Sequence, residues 1–365
     1  MSNNYHNIAI IPGDLNGITV TQAALSLSEA VSSKLSKPIK HTELPYNADY
    51  FLSKDIKELG EKELEELRQY NQIFLGAVGD PNKIRPGLLE VGILLKVRQE
   101  FDQYVNLRPV ILPEGVPSIL VGKTFRDINI EICRENSEGL YVGIGWVEHK
   151  DKPEEAAYQI MKCTYKGVKR LAEFAEQRAF ARKKSDKPTL HFVFKTNVLT
   201  YAAVPWQRVF EEYAKRKDIN VKYMHVDAFG AQMLKNPAQF DVVLIENMFG
   251  DIMTDIGAEL QGGMGTAASG NINPTKQYPS MFEPVHGTAP DRWYGSDGKR
   301  DASLVQTVRP EAAFLSYAMM LEQMGETKAA EAIKAAALEN IRDPHYNLKK
   351  LDELVDQACK FVMSR

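Results

Sequence analysis

The sequence predicts an α/β protein built as two domains. Short apolar, β-branched runs at residues 7–11, 73–78, 128–133, 189–194, 221–226 and 241–245 alternate with helical patterns, which is the signature of α/β architecture. The chain has 365 residues, long enough for two domains or one large domain with an insertion. Its 44% hydrophobic and 25% charged residues are ordinary for a soluble globular protein, so a sizeable core is available to both domains.

The totals also exclude several classes. A net charge of -3 gives no reason to expect nucleic acid or a membrane surface as partner. Cys133, Cys163 and Cys359 are too few and too scattered for a disulfide framework or a thiolate metal site. No apolar run approaches the roughly 20 residues of a membrane span, and no signal-peptide pattern leads into the first strand. A cytoplasmic protein is expected.

In chain order, the strand at 7–11 stops at Pro12-Gly13-Asp14-Leu15-Asn16-Gly17, and a helix is predicted over 19–35. Strand, glycine-containing turn and helix can present backbone N–H groups to a phosphate, and equally make a plain βα turn. No Gly-x-Gly-x-x-Gly pattern is present, so a standard Rossmann fingerprint is not supported. Residues 53–70 read as one charged helix and 86–101 as another that carries Ile93, Leu94, Leu95 and Arg98. Arg108 follows ten residues later, and Arg134 ends the strand at 128–133. Three arginines before loops suit bidentate clamps for carboxylates, or simply surface roles.

Residues 150–178 read as mostly helical, and 182–187, with Lys183 and Lys184, as an exposed linker. Lys195 stands at the C-terminal end of a buried strand, where ligands bind in α/β sheets or where a lysine snorkels to water. Asp227 ends the strand at 221–226. Residues 262–274 lack clear periodicity and read as a long loop or crossover. Helices close the chain at about 311–324, 327–341 and 348–361.

The chemistry centres on Asp251 and Asp255. A helix predicted to open at Gly250-Asp251 places the two carboxylates, four residues apart, on one helical face. Like charges so close repel unless a cation or arginines stand between them. Hard oxygen ligands suit Mg²⁺ or Mn²⁺. An acidic preference for a helix N-terminus explains the same pair, because the macrodipole favours negative charge there.

Taken together and in order, these residues resemble the metal-dependent β-decarboxylating dehydrogenases of isocitrate, isopropylmalate, tartrate and D-malate. The resemblance rests on Arg98, Arg108, Arg134-Glu135-Asn136-Ser137-Glu138-Gly139-x-Tyr141, Lys195-x-Asn197, Asp227, Asn247-x-Phe249-Gly250-Asp251-x-x-x-Asp255 and His286-Gly287-Thr288-Ala289-Pro290-Asp291. Within the family, Gln103-Tyr104-Val105-Asn106-Leu107-Arg108-Pro109 and Ser269-Gly270-Asn271-Ile272-Asn273-Pro274 look most like the tartrate/D-malate branch. The resemblance implies an isopropylmalate dehydrogenase-like, non-Rossmann two-domain fold with the active site in the interdomain cleft. Residues 1–103 plus 262–365 would form the large cofactor-binding domain, and 104–261 the small dimerisation domain.

By the same resemblance, a nicotinamide cofactor oxidises a malate-type 2-hydroxy acid such as D-malate, tartrate or a 3-alkylmalate, and the β-carboxylate leaves as CO₂. Arg98, Arg108 and Arg134 would bind the substrate carboxylates. Asp251 and Asp255, with Asp227 from the partner subunit of a homodimer, would hold Mg²⁺ or Mn²⁺ against the 2-hydroxyl and its carboxylate. Lys195, also from the partner subunit, would take the hydroxyl proton, and Tyr141 would protonate the enol carbon. The cofactor would lie against Glu283, His286, Gly287, Thr288, Ala289, Pro290, Asp291, Asn247 and Arg309.

Two regions depart from the family. Isocitrate enzymes place a serine and an asparagine where this chain has Gly92 and Leu94, so a third substrate carboxylate would be buried unpaired at a cost of several kcal/mol. Ile93, Leu94, Leu95 and Val198 make that side of the pocket apolar, which suits an unsubstituted or alkyl-substituted malate. The family's first turn usually reads Pro-Gly-Asp-Gly-Ile-Gly-Pro-Glu. Here it reads Pro12-Gly13-Asp14-Leu15-Asn16-Gly17-Ile18-Thr19. Where the family reaches an Asn-Pro whose asparagine contacts adenine, this chain inserts a longer basic loop and arrives at Arg309-Pro310. Asp291 favours NAD by repelling a 2′-phosphate, whereas Arg292, Lys299, Arg300 and Arg309 suit NADP. Two rivals stand beside this reading: a biosynthetic relative acting on an unusual β-substituted malate, and a non-catalytic regulatory subunit.

Overall fold

A computed structural model describes residues 4–182 and 184–365. Its strands are, in chain order, β1 (His6–Ile11), β2 (Ile39–Glu43), β3 (Gln72–Leu75), β4 (Val105–Ile111), β5 (Asn129–Glu135), β6 (Gly145–Glu148), β7 (Ala156–Gln159), β8 (Thr189–Phe194), β9 (Asn220–His225), β10 (Val242–Ile245), β11 (Ala268–Ile272) and β12 (Ser280–Pro284). The fold is mixed α/β, and the chain divides into two compact units. One comprises residues 1–103, 113–117 and 261–365, and the other 104–112 and 118–260.

In the first unit the strand order is β2-β1-β3-β12-β11. The first three pairings are parallel, and β11 runs antiparallel to β12. Strands β3 and β12 are buried along their whole length and β1 from Ile8 onward, as expected where both faces of a sheet are covered. The helix Glu311–Met324 is buried nearly all round because it packs on β11 and β12 and also on the helices Asn16–Ala30 and Thr327–Arg342. A second cluster, including Phe51, Leu64, Ile93, Val97 and Phe101, fills the space beside β3.

In the second unit the order is β4-β5-β10-β8-β9, with β4–β5 antiparallel and the rest parallel. The helices Tyr165–Arg182 and Asn247–Leu260 pack on this sheet. Strands β6 and β7 form a separate antiparallel ribbon whose Trp146 and Tyr158 stack with ring centroids 4.8 Å apart.

Several expectations change. The helix expected over 53–70 is two helices, Ala48–Lys54 and Glu61–Arg68, because Asp55 turns left-handed at the first helix's end. The helix expected over 86–101 is a π-helical segment, Glu90–Leu95, continued by Lys96–Glu100. Residues 150–178 are not mostly helical: the β6–β7 ribbon occupies their start, and the helix begins only at Tyr165. Residues 262–274 contain β11, a fully buried strand whose small residues hide its pattern. The expected exposed linker at 182–187 begins with a well-held Arg182, whose Nε donates to Asp241 Oδ1 at 2.7 Å, while Lys183 lies outside the described residues.

Candidate active site

Helix Asn247–Leu260 starts four residues before Asp251, and its first turn carries no acidic residue. The macrodipole explanation for the aspartate pair therefore fails, since that effect fades beyond the first turn. What surrounds the pair is cationic. Arg134, at the end of β5 and about 1% exposed, hydrogen-bonds Asp251 through Nη1, and its Nε and Nη2 reach Asn247 Oδ1 at 3.0 and 2.8 Å. Asn247 is fixed in turn by donating to the Glu138 carbonyl at 2.7 Å. Gly250 permits this approach, because a Cβ there would stand 2.6 Å from Arg134 Cγ.

Asp251 has a second partner. The Tyr141 hydroxyl donates to its Oδ2 at 2.9 Å, and the Arg134 guanidinium lies 5.6 Å from the Tyr141 ring centroid. Burial, reinforced by the Asp251 charge, pushes the Tyr141 hydroxyl up to about 12. One turn on, Asp255 Oδ1 lies 3.6 Å from Arg108 Nη1, and Arg108 is anchored through Nε to Asn106 Oδ1 at 3.1 Å. Burial raises the Asp255 carboxyl above its usual range, against the pull of Arg108.

Lys195 and Asp227 form another pair, Nζ to Oδ1 2.8 Å, and that bond holds the Asp227 carboxyl below its usual range. Asp227 sits in the first turn of helix Val226–Lys235 rather than at a strand end. Among the described residues of one chain, no group of three or more His, Cys, Asp or Glu side chains is arranged to hold a metal ion. Asp227 thus does not join Asp251 and Asp255 within a single chain.

In the other unit, Arg98 is buried against Glu283, Nη2 to Oε1 3.0 Å, and the same oxygen accepts from Asn271 Nδ2 at 2.9 Å. Ser316 holds the Glu283 backbone carbonyl at 2.8 Å. Leu94 and Leu95 lie in the π-helical turn and are half-buried, whereas Ile93 is core and Val198, in the second unit, is largely exposed. Gly92 backs onto packed chain: a Cβ would stand 2.4 Å from the Lys57 carbonyl and 2.8 Å from Phe51 Cε1.

The same unit holds a cavity of about 740 Å³ lined in part by His286, Gly287, Ala289, Arg292 and Arg309. Arg309 spans the carbonyls of Lys349 and Asn347, at 2.8 and 3.0 Å, and lies 5.0 Å from the Tyr346 ring centroid. Tyr346 in turn donates to the buried Glu311 at 2.7 Å. Thr288 and Pro290 flank the cavity-lining Ala289 in sequence, and Asp291 is exposed. Asn16, Tyr346 and Glu311 were missed by sequence reasoning. Asn16 carried a signal, as a departure from the family's first turn; Tyr346 and Glu311 carried none, being set by contacts across 35 residues.

Residues 7–358 match the family described as isocitrate/isopropylmalate dehydrogenase. The chain belongs to the isocitrate/isopropylmalate dehydrogenase family. It is 43% identical over 337 residues to 3-isopropylmalate dehydrogenase of Thermobifida fusca (strain YX), covering 92% of this chain and 91% of that one. The enzyme of the same name from Corynebacterium kroppenstedtii is 41% identical, covering 92% of this chain and 93% of its own. Among solved structures, isocitrate dehydrogenase from Methylococcus capsulatus aligns with a TM-score of 0.83 at 28% identity, over 98% of this chain and 99% of that one. As a member of the isocitrate/isopropylmalate dehydrogenase family the chain is an oxidoreductase. The names of these relatives support the general reaction type, and they give no support to the tartrate branch that the flanking motifs suggested.

Proposed function

We propose that this protein oxidises and β-decarboxylates a 3-alkylmalate-type 2-hydroxy acid, using a nicotinamide dinucleotide and Mg²⁺ or Mn²⁺. The observation that carries the reading is the Arg134–Asp251–Tyr141 arrangement, in which a cation and a proton donor both hydrogen-bond one hard carboxylate ligand. The apolar Leu94 and Leu95, and the lack of room for a side chain at Gly92, favour an alkyl substituent over the third carboxylate of isocitrate.

The residues fit both the metal and the dinucleotide. Asp251 and Asp255 offer hard carboxylate oxygens on successive turns, and the pairing of Asp227 with Lys195 suits a partner subunit's contribution to the same site. The cavity beside Arg292 and Arg309 suits an anionic dinucleotide. When bound, the nicotinamide would supply a hydride acceptor for C2 and the divalent cation Lewis-acid chelation of the 2-hydroxyl and its carboxylate.

The chain's own side chains then have defined tasks. Arg98, Arg108 and Arg134 bind the substrate carboxylates as planar, permanently charged donors. Lys195, once it has released a proton to solvent and stands as the neutral amine, accepts the hydroxyl proton as C2 is oxidised to the ketone. Loss of the β-carboxylate as CO₂ leaves an enolate, and the Tyr141 hydroxyl, kept protonated by its environment, delivers a proton to C3. The homodimer reading is supported by the exposed apolar residues of the β6–β7 ribbon and by Ile252 and Ile256 on the outer face of the helix that carries both aspartates.

NAD is the preferred cofactor in this reading, since Arg292 and Arg309 already donate to backbone carbonyls. NADP is the second reading, favoured by the presence of both guanidinium groups in the cavity wall. Measuring CO₂ released per dinucleotide reduced, with 3-isopropylmalate and Mn²⁺, tests the proposal. A ratio of one supports it, and dinucleotide reduction without CO₂ would reject the decarboxylating half.

A further inference from the structure

Asn16 opens the first helix of the chain from a strained entry. Leu15 before it holds φ 50° and ψ -122°, a backbone conformation that L side chains rarely adopt. Asn16 itself is about 1% exposed and lines the cavity already described. Its Nδ2 donates to the Ala289 carbonyl at 3.0 Å, which fixes the amide's orientation. The Oδ1 is then left buried with no hydrogen-bond partner among the described residues. An acceptor in that state costs free energy unless a ligand or a water donates to it.

His286 repeats the pattern. Its Nδ1 lies 3.1 Å from the Gly287 carbonyl, which makes Nδ1 the donor and Nε2 an acceptor, and Nε2 is also buried without a partner. The guanidinium groups of Arg292 and Arg309 in the same wall only donate. The cavity thus holds two unfilled side-chain acceptors and two cations. A ligand that complements it carries negative charge and hydrogen-bond donors.

We infer that Asn16 is a base-reading residue of the dinucleotide pocket, its Oδ1 accepting a hydrogen bond from the 6-amino group of adenine. This deepens the proposed cofactor use and rests on it. The inference places the base contact at the first turn, on a side chain whose orientation is set by Ala289. Arg309 cannot make that contact because it has no acceptor to offer.

The test is calorimetric binding of ADP-ribose and of its hypoxanthine counterpart to the full chain. Hypoxanthine carries an oxygen where adenine has the amino group, so two acceptors would face each other. The hypoxanthine form is expected to bind at least about tenfold more weakly. In Asn16→Leu, ADP-ribose binding is expected to weaken by about the same factor and the difference between the two ligands to vanish. The comparison on the unaltered protein stands even if that variant does not fold. Equal affinity for the two ligands would overturn the assignment of Asn16 while leaving the cofactor cavity in place. No binding of either ligand would overturn both.

Discussion

The Tyr141 hydroxyl and Asp251 Oδ2 are joined by a 2.9 Å hydrogen bond, although 110 residues separate them in the chain. The tyrosine comes from the short 3₁₀ turn Leu140–Val142 and the aspartate from the helix Asn247–Leu260. Arg134 ties the two together, bonded to Asp251 and lying against the Tyr141 ring. A proton donor and a metal-type carboxylate are thus held by one buried cation.

Tyr141→Phe removes the proton donor and leaves the ring against Arg134. Turnover is expected to fall by about 10²- to 10⁴-fold, the range for loss of a positioned general acid, with a much smaller change in KM. Steady-state kinetics check this. A kcat within a factor of two of the original would mean that another group protonates C3.

Asp251→Asn removes a carboxylate charge from Arg134 and from the candidate metal site together. Metal-dependent turnover is expected to be lost while the oligomeric state, read by light scattering, stays as it was. Unchanged turnover across a Mn²⁺ titration would show that Asp251 is not a metal ligand.

Gly92→Ser introduces the residue type of isocitrate enzymes at the position where the backbone leaves no space. With the Lys57 carbonyl 2.4 Å from the new Cβ, a loss of about 1–3 kcal/mol in stability is expected, without gain of isocitrate oxidation. Thermal melts and an isocitrate assay read the two parts. A folded variant that oxidises isocitrate would show that the local chain yields more readily than its packing indicates.

His191, in the middle of β8, is fully buried, meets the edge of Phe240, and has no hydrogen-bond partner at either ring nitrogen among the described residues. Burial, helped by Lys222 on the neighbouring strand, pushes its pKa down to about 4 from the ordinary 6.5. The folded state therefore binds fewer protons than the unfolded one between those values. Stability from this group is complete above about pH 6.5 and is lost as pH falls towards 4, by up to about 3 kcal/mol. His191→Phe is expected to flatten that part of the pH–stability curve in denaturant titrations, and an unchanged curve would reject the assignment.

Much of this was legible in the sequence. The apolar strands and the closing helices were, because buried parallel strands are continuous apolar runs and Glu311–Met324 has clear helical composition. Strand β11 was not, since Ala268, Ser269 and Gly270 are small, and Gly270 is set by close packing against Phe282 and Met319 rather than by strand propensity. The start of the Asn247–Leu260 helix was misplaced because Gly250 reads as a boundary. It is instead a helical glycine required by the close approach of Arg134. The aspartate spacing was visible locally; the union of Arg134, Tyr141 and Asp251 was not, because it depends on contacts across more than 100 residues. The role of Asn16 depends likewise on Ala289, which is 273 residues away.

The most direct test of the proposed chemistry is a rate matrix of 3-isopropylmalate, D-malate, the tartrates and isocitrate against NAD⁺ and NADP⁺ with Mn²⁺. The expected result is metal-dependent reduction, fastest with an alkyl-substituted malate and NAD⁺ and weakest with isocitrate. No reduction of either dinucleotide by any of these acids would contradict it.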